Sequence, residues 1–154
     1  MTFLNAAGKK VVIVMSEFNP MITESLLNGA MDAYLHNGGS EELVSVYKVP
    51  GAYEIPGTVK QILDHAKPDA VVTLGAVIRG GTPHFDYVAG ECARGVADLS
   101  TQYNIPIMFG VLTTDNLQQA LERAGTKAGN KGWEVMEAAL QTIQVYEDIR
   151  SNQN

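Results

Sequence analysis

One connection in the chain, Arg79-Gly80-Gly81-Thr82-Pro83-His84, holds a cation, two glycines, a hydroxyl, a rigid ring and an imidazole. Two glycines let backbone amides approach a ligand without interference from a Cβ. Thr82 can cap a following helix, and Pro83 fits its first turn, where a missing N–H costs nothing. Free amides and the positive end of a helix dipole together favour an anion, typically phosphate. The same residues also suit a tight strand-to-helix turn that needs glycines for geometry alone. His84 falls in the first turn of that helix, where the charged form of an imidazole is disfavoured and the ring can act as a base or proton shuttle. The plain alternative is a surface histidine without a role, and that is the reading for His36 and His65, which fall at helix ends far from any such loop.

A second constellation is ERAGTKAGNKG at 122–132. Arg123, Lys127 and Lys131 concentrate positive charge, while Gly125, Gly129 and Gly132 prevent one straight helix. Such a hinge could hold a phosphate, with arginine giving a two-point grip. Taken alone, these residues favour a solvated linker between helices. Phe18-Asn19 and Tyr53-Glu54 add a ring and a carboxylate that suit a flat, hydrogen-bonding substrate, or else close the core edge and start a helix. Cys92 lies on an apolar stripe and reads as inert packing. Trp133 belongs either to the core or to an interface. No CxxC, HExxH or EF-hand pattern exists, so no metal site is expected; no P-loop, GxGxxG or GxSxG signature is present either.

The elements that must position these groups follow from periodicity. Residues 11–16 read as a strand, about 20–37 as a helix ended by Gly38 and Gly39, and 43–48 as a second strand. VPGAYEIP leads into a short helix with Val59, Ile62, Leu63 and Ala66 on one face. A third strand at 69–77 precedes a helix striped by Phe85, Ala89, Cys92, Val96 and Leu99. A fourth strand at 105–113 and two helices, about 116–124 and 131–149, complete the pattern. This alternation predicts an α/β fold: a three-layer α/β/α sandwich around a four-stranded, mostly parallel, flavodoxin-like sheet. Ligands in such sheets sit beyond the carboxyl ends of the strands. That rule selects Ser16–Asn19, Val49–Glu54, Val77–His84 and Phe109–Asp115.

The 154 residues, 45% hydrophobic and 18% charged, suit one globular domain spanning 1–154. A net charge of −6 argues against nucleic acid and against anionic membranes as partners. The apolar run VVIVM is too short to span a bilayer. No export signal is visible at the start, and a single cysteine excludes a disulfide framework within the chain, so a cytoplasmic location is expected.

SEFN at 16–19, VPGAYEIP at 49–56, LGAVIRGGTPHFDYV at 74–88 and FGVLTTDNLQQALERAGTKAGNKG at 109–132 together resemble the lumazine synthases of riboflavin biosynthesis, in order and in spacing. The resemblance covers nearly the whole chain. It implies a transferase that joins 5-amino-6-ribitylamino-2,4(1H,3H)-pyrimidinedione to 3,4-dihydroxy-2-butanone 4-phosphate, giving 6,7-dimethyl-8-ribityllumazine, phosphate and water, with no cofactor. It implies that Gly81, Thr82 and Arg123 bind the phosphate and that His84 moves protons. Phe18 would stack on the pyrimidine, Ala52, Tyr53 and Glu54 would line the ribityl chain, and Val77 and Ile78 would read the ring's edges through their backbone. Phe109 and Lys131 would complete the pocket with Arg123 from a neighbouring subunit. The resemblance further implies homo-oligomers: pentamers with shared sites, assembled in many members into an icosahedral shell, with room for association with riboflavin synthase. Residues 1–8 would be an arm that could add a strand to a neighbour's sheet. Glu17 departs from the arginine common in the family before Phe18-Asn19, while Pro83 is an accepted variant.

Competing classes leave different marks. A non-catalytic flavin or lumazine carrier would keep the aromatic pocket but lose the shuttle or the phosphate grip, and His84, Arg123 and Lys131 are all present. A phospho-receiver would need an acidic cluster at the ends of the first and third strands. A flavodoxin-like electron carrier would need a hydroxyl-rich loop where SEFNPM stands. A structural shell role is compatible with catalysis. The enzyme is the expected function.

Overall fold

The computed structural model describes residues 4–125 and 129–152. Lys127 and the first three residues of the arm lie outside them. The order is β1 (Val11–Ser16), α1 (Pro20–His36), a 3₁₀ turn at Glu41–Leu43, β2 (Val44–Val49) and a second 3₁₀ turn at Ala52–Glu54. There follow α2 (Ile55–His65), β3 (Ala70–Ile78), α3 (His84–Gln102), β4 (Ile107–Thr114), α4 (Leu117–Arg123) and α5 (Lys131–Ser151).

The described strands form a four-stranded sheet in the order β2-β1-β3-β4, and every neighbouring pair is parallel. β1 is buried along its whole length, as expected of a continuous apolar run covered on both faces. Its side chains alternate between two cores. Val11, Ile13 and Met15 join Leu26, Ala30, Met136 and Leu140 under α1 and α5. Val12 and Val14 join Ile55, Val59, Cys92 and Val96 under α2 and α3. Helices on both faces make the three-layer α/β/α architecture. The chain moves outward from β1 to β2 and then returns past β1 to β3. Strand order therefore reverses between β1 and β3, and the carboxyl ends of those strands flank an open crevice.

Two local expectations are corrected. Thr82 does not cap α3: Pro83 occupies the cap position, and no side chain accepts from the first-turn amides. Gly132 is not a kink. It lies inside the first turn of α5, where a methyl group would run into the carbonyl oxygen of Leu26 on α1. The left-handed backbone of the connection is supplied by Gly125 (φ 122°) and Gly129 (φ 84°). In the described part of the arm, Ala6 is buried in this chain's own core, and its N–H donates to the Asn37 carbonyl at 2.9 Å.

Candidate active site

Three carboxyl ends build the first cavity. After β1 the chain turns through Asn19, the one described non-glycine residue with a left-handed backbone (φ 62°, ψ 63°). Asparagine tolerates that region better than most residues. The preceding ring, Phe18, is left 69% exposed. After β2, the Gly51 N–H donates to Glu54 Oε1 at 2.9 Å, which fixes the carboxylate above its own 3₁₀ turn. Tyr53 projects beside it, 61% exposed. β3 contributes Ala76, Val77 and Ile78, and the following loop and helix add Gly80, Thr82, His84, Phe85 and Val88. These residues enclose about 490 Å³. The size suits a ligand of ring-plus-chain dimensions.

The loop at 80–83 has the properties of an anion seat. No heavy atom lies within 4 Å of where a Cβ would sit on Gly80 or Gly81, and neither glycine has left-handed φ. The fold of this chain therefore places no demand for glycine at either position, and the open space is available to a ligand. The uncapped first turn of α3 leaves its positive dipole end facing the same space.

A second cavity of about 470 Å³ is lined by Phe109, Val111, Leu112, Thr113, Arg123, Lys131 and Glu134. Arg123 ends α4, and Lys131 begins α5. A cation at a helix N-terminus opposes the dipole, so Lys131 is not there to stabilise its helix. Among the described residues no ion pair engages either cation. Asn130 holds the connection in place: its Oδ1 accepts from Trp133 N–H at 3.1 Å, and its Nδ2 donates to the carbonyls of Ser25 at 2.9 Å and Ala124 at 3.1 Å. Trp133 itself is half-buried against the α1–α5 core, 5.5 Å from the His36 ring.

The expected site residues thus fall into two groups. Phe18, Ala52, Tyr53, Glu54, Val77, Ile78, Thr82 and His84 share the first cavity, with Gly81 in its loop; Phe109, Arg123 and Lys131 share the second. The two cavities have no lining residue in common. Phe109 lies within β4, as the strand expected at 105–113 implies. Besides Ala76 and Phe85, which adjoin the selected stretch 77–84, sequence reasoning left out Val88 and Glu134. Both stand one helical turn beyond a named site residue, Phe85's neighbour His84 in one case and Lys131 in the other, and that spacing was the available signal. Cys92 has no place in either cavity. Burial pushes its thiol up to about 11, so it is no nucleophile at neutral pH. Among the described residues no group of three or more His, Cys, Asp and Glu could hold a metal ion, and no helix is long and apolar enough to cross a membrane.

The family model described as 6,7-dimethyl-8-ribityllumazine synthase matches residues 8–147. The chain belongs to the lumazine synthase family. It is 50% identical over 142 residues to the 6,7-dimethyl-8-ribityllumazine synthase of Nautilia profundicola, covering 92% of each chain. The synthase of Desulfatibacillum aliphaticivorans is 49% identical over 147 residues, covering 96% of this chain and 95% of its own. That of Helicobacter pylori is 49% identical over 143 residues, covering 93% and 92%. Both cavities fall inside the stretch that the lumazine synthase model spans.

Proposed function

We propose that the protein condenses 5-amino-6-ribitylamino-2,4(1H,3H)-pyrimidinedione with 3,4-dihydroxy-2-butanone 4-phosphate to give 6,7-dimethyl-8-ribityllumazine, the penultimate step of riboflavin biosynthesis. The observation that carries the reading is the family match across residues 8–147, which includes an aromatic cavity with an imidazole and a second cavity with two cations.

In this reading Phe18 stacks on the pyrimidine, the backbone of Val77 and Ile78 meets the ring's edges, and Ala52, Tyr53 and Glu54 receive the ribityl chain. The phosphate lies on the amides of Gly81 and Thr82, with Arg123 opposite. The ring amine is itself the nucleophile: it attacks the ketone carbon, and water leaves as the imine forms. His84 then moves the proton whose loss drives out phosphate; the enol left behind becomes a ketone, and the ribityl-bearing amine adds to that carbon and closes the ring as a second water leaves. Holding both reactants in register supplies much of the acceleration, since effective molarities reach ~10⁵ M or more in favourable cases. General acid–base help adds typically ~10²–10⁴-fold.

A phosphate gripped by both Thr82 and Arg123 needs the two cavities to meet. Their separation on one chain supports a site completed by a second copy, with Phe109, Arg123 and Lys131 donated across the interface. A closed ring satisfies that head-to-tail requirement for every copy. The ring we propose is a pentamer, itself a unit of an icosahedral shell, working in the cytoplasm and passing product to riboflavin synthase. The outer strand β2, with only Val49 of its six residues buried, offers an edge on which a neighbour's arm adds a strand.

The test mixes purified protein with the two substrates and follows lumazine absorbance, subtracting the spontaneous condensation. A protein-dependent rate is expected. Tight lumazine binding without acceleration would mean a carrier on the same frame and would overturn the proposal.

A further inference from the structure

We propose that Arg79 is a positioning residue. Its guanidinium joins the two ends of the Gly80–Pro83 loop to each other and to the turn after β4, and so holds the loop amides and His84 in place for the phosphate-bearing substrate. The proposal rests on the reading of that loop as the phosphate seat.

The geometry is a three-way clamp. Arg79 Nε donates to Asp115 Oδ1 at 3.0 Å. One terminal nitrogen lies 3.7 Å from Asp86 Oδ1 in the first turn of α3. The guanidinium carbon sits 4.3 Å above the centre of the Phe85 ring. The Arg79 backbone N–H also donates to the Thr114 carbonyl at 2.8 Å. A single side chain thus reaches forward across the four residues 80–83 to grip Phe85 and Asp86 in the first turn of α3. At the same time it reaches sideways to the neighbouring loop.

The loop has little else to hold it. Among the described residues no side-chain hydrogen bond reaches Gly80, Gly81, Thr82 or Pro83, and α3 has no side-chain cap. Two adjacent glycines leave the backbone wide conformational freedom. Its ends must therefore set its shape, and Arg79 is the group that fixes both. The anchor on the far side is firm. The Asp115 N–H donates to Gln119 Oε1 at 2.8 Å, and Asn116 Oδ1 accepts from Gln119 N–H at 2.9 Å, so that turn is tied to α4.

Arg79 is not itself a phosphate ligand in this arrangement. Two carboxylates already balance its charge, and it is not among the residues lining the cavity. The choice of arginine also has a reason: a planar guanidinium can stack on a ring while its edge forks to carboxylates, and an ammonium cannot. The side chains of Arg79, Asp86 and Asp115 are 48%, 69% and 68% exposed, so the ion pairs contribute little to global stability. What they restrict is the local freedom of the loop.

The experiment compares wild type with Arg79→Met, Arg79→Lys and Asp115→Asn, measuring KM separately for each substrate together with thermal unfolding. We expect Arg79→Met to raise KM for the butanone phosphate by about tenfold, with KM for the pyrimidine changed by less than about twofold. The unfolding midpoint should stay close to wild type. Arg79→Lys should restore part of the loss, and Asp115→Asn should reproduce part of it. An Arg79→Met enzyme with both KM values unchanged overturns the proposal. So does one with both KM values raised alike and a lowered midpoint, because that is loss of structure rather than of loop position. If wild type itself gives no acceleration, the functional reading has failed and the proposal goes with it.

Discussion

His84 and Arg123 stand at opposite kinds of helix end, and their expected contributions differ accordingly. His84 is the first residue of α3, exposed beside an uncapped N-terminus, while Arg123 closes α4, where its charge is compatible with the dipole. In the proposed mechanism the amine nucleophile attacks a ketone without enzymatic activation, so removing His84, the proposed proton shuttle, should do limited damage. His84→Ala is expected to lower kcat/KM by about 10²-fold, the bottom of the range for acid–base catalysis. On the proposed reading Arg123 both anchors the substrate phosphate and stabilises it as it departs. Arg123→Ala should therefore cost more, on the order of 10³-fold, with a larger share appearing in KM for the butanone phosphate. Equal kinetics for Arg123→Ala and wild type would remove Arg123 from the phosphate site.

At the scale of elements, glycines separate packing from ligand space. Gly132 lies where α5 crosses α1, and an added methyl would strike the Leu26 carbonyl, a backbone atom that cannot rotate away. Gly132→Ala should lower stability by about 2–3 kcal/mol, read as a shift in the urea midpoint. Gly80→Ala meets nothing within 4 Å and should unfold with the wild-type midpoint. Equal midpoints for the two variants would contradict this division.

The elements themselves were largely legible in the sequence. The run VVIVMS and the stripe Ile22, Leu26, Ala30, Ala33 have unambiguous periods, and all of these residues are buried. The start of α3 was less legible. Threonine is a good cap in general, but here the rigid Pro83 ring takes the cap position, and nothing local in the sequence decides between them. Gly132 read as a joint because a glycine's neighbours across the core are invisible in one dimension. Candidate site residues were legible mainly through the four matching blocks. That Phe109, Arg123 and Lys131 line a cavity apart from His84 is a matter of three-dimensional placement that residue spacing does not encode.

For the whole molecule, the separation of the two cavities is the feature with the widest consequence. One copy carries an aromatic cavity with His84 and a cationic cavity with Arg123, and the two share no lining residue. The head-to-tail assembly proposed above would make every working site from two copies, and on that proposal activity depends on assembly. The most direct test mixes His84→Ala and Arg123→Ala chains in equal amounts, dissociates them, and lets them reassemble. Random assortment places an intact His84 half against an intact Arg123 half at about a quarter of the sites, so lumazine formation should recover to about a quarter of the wild-type rate. A mixture no more active than the mean of the two variants alone would contradict the shared site and leave each chain working by itself.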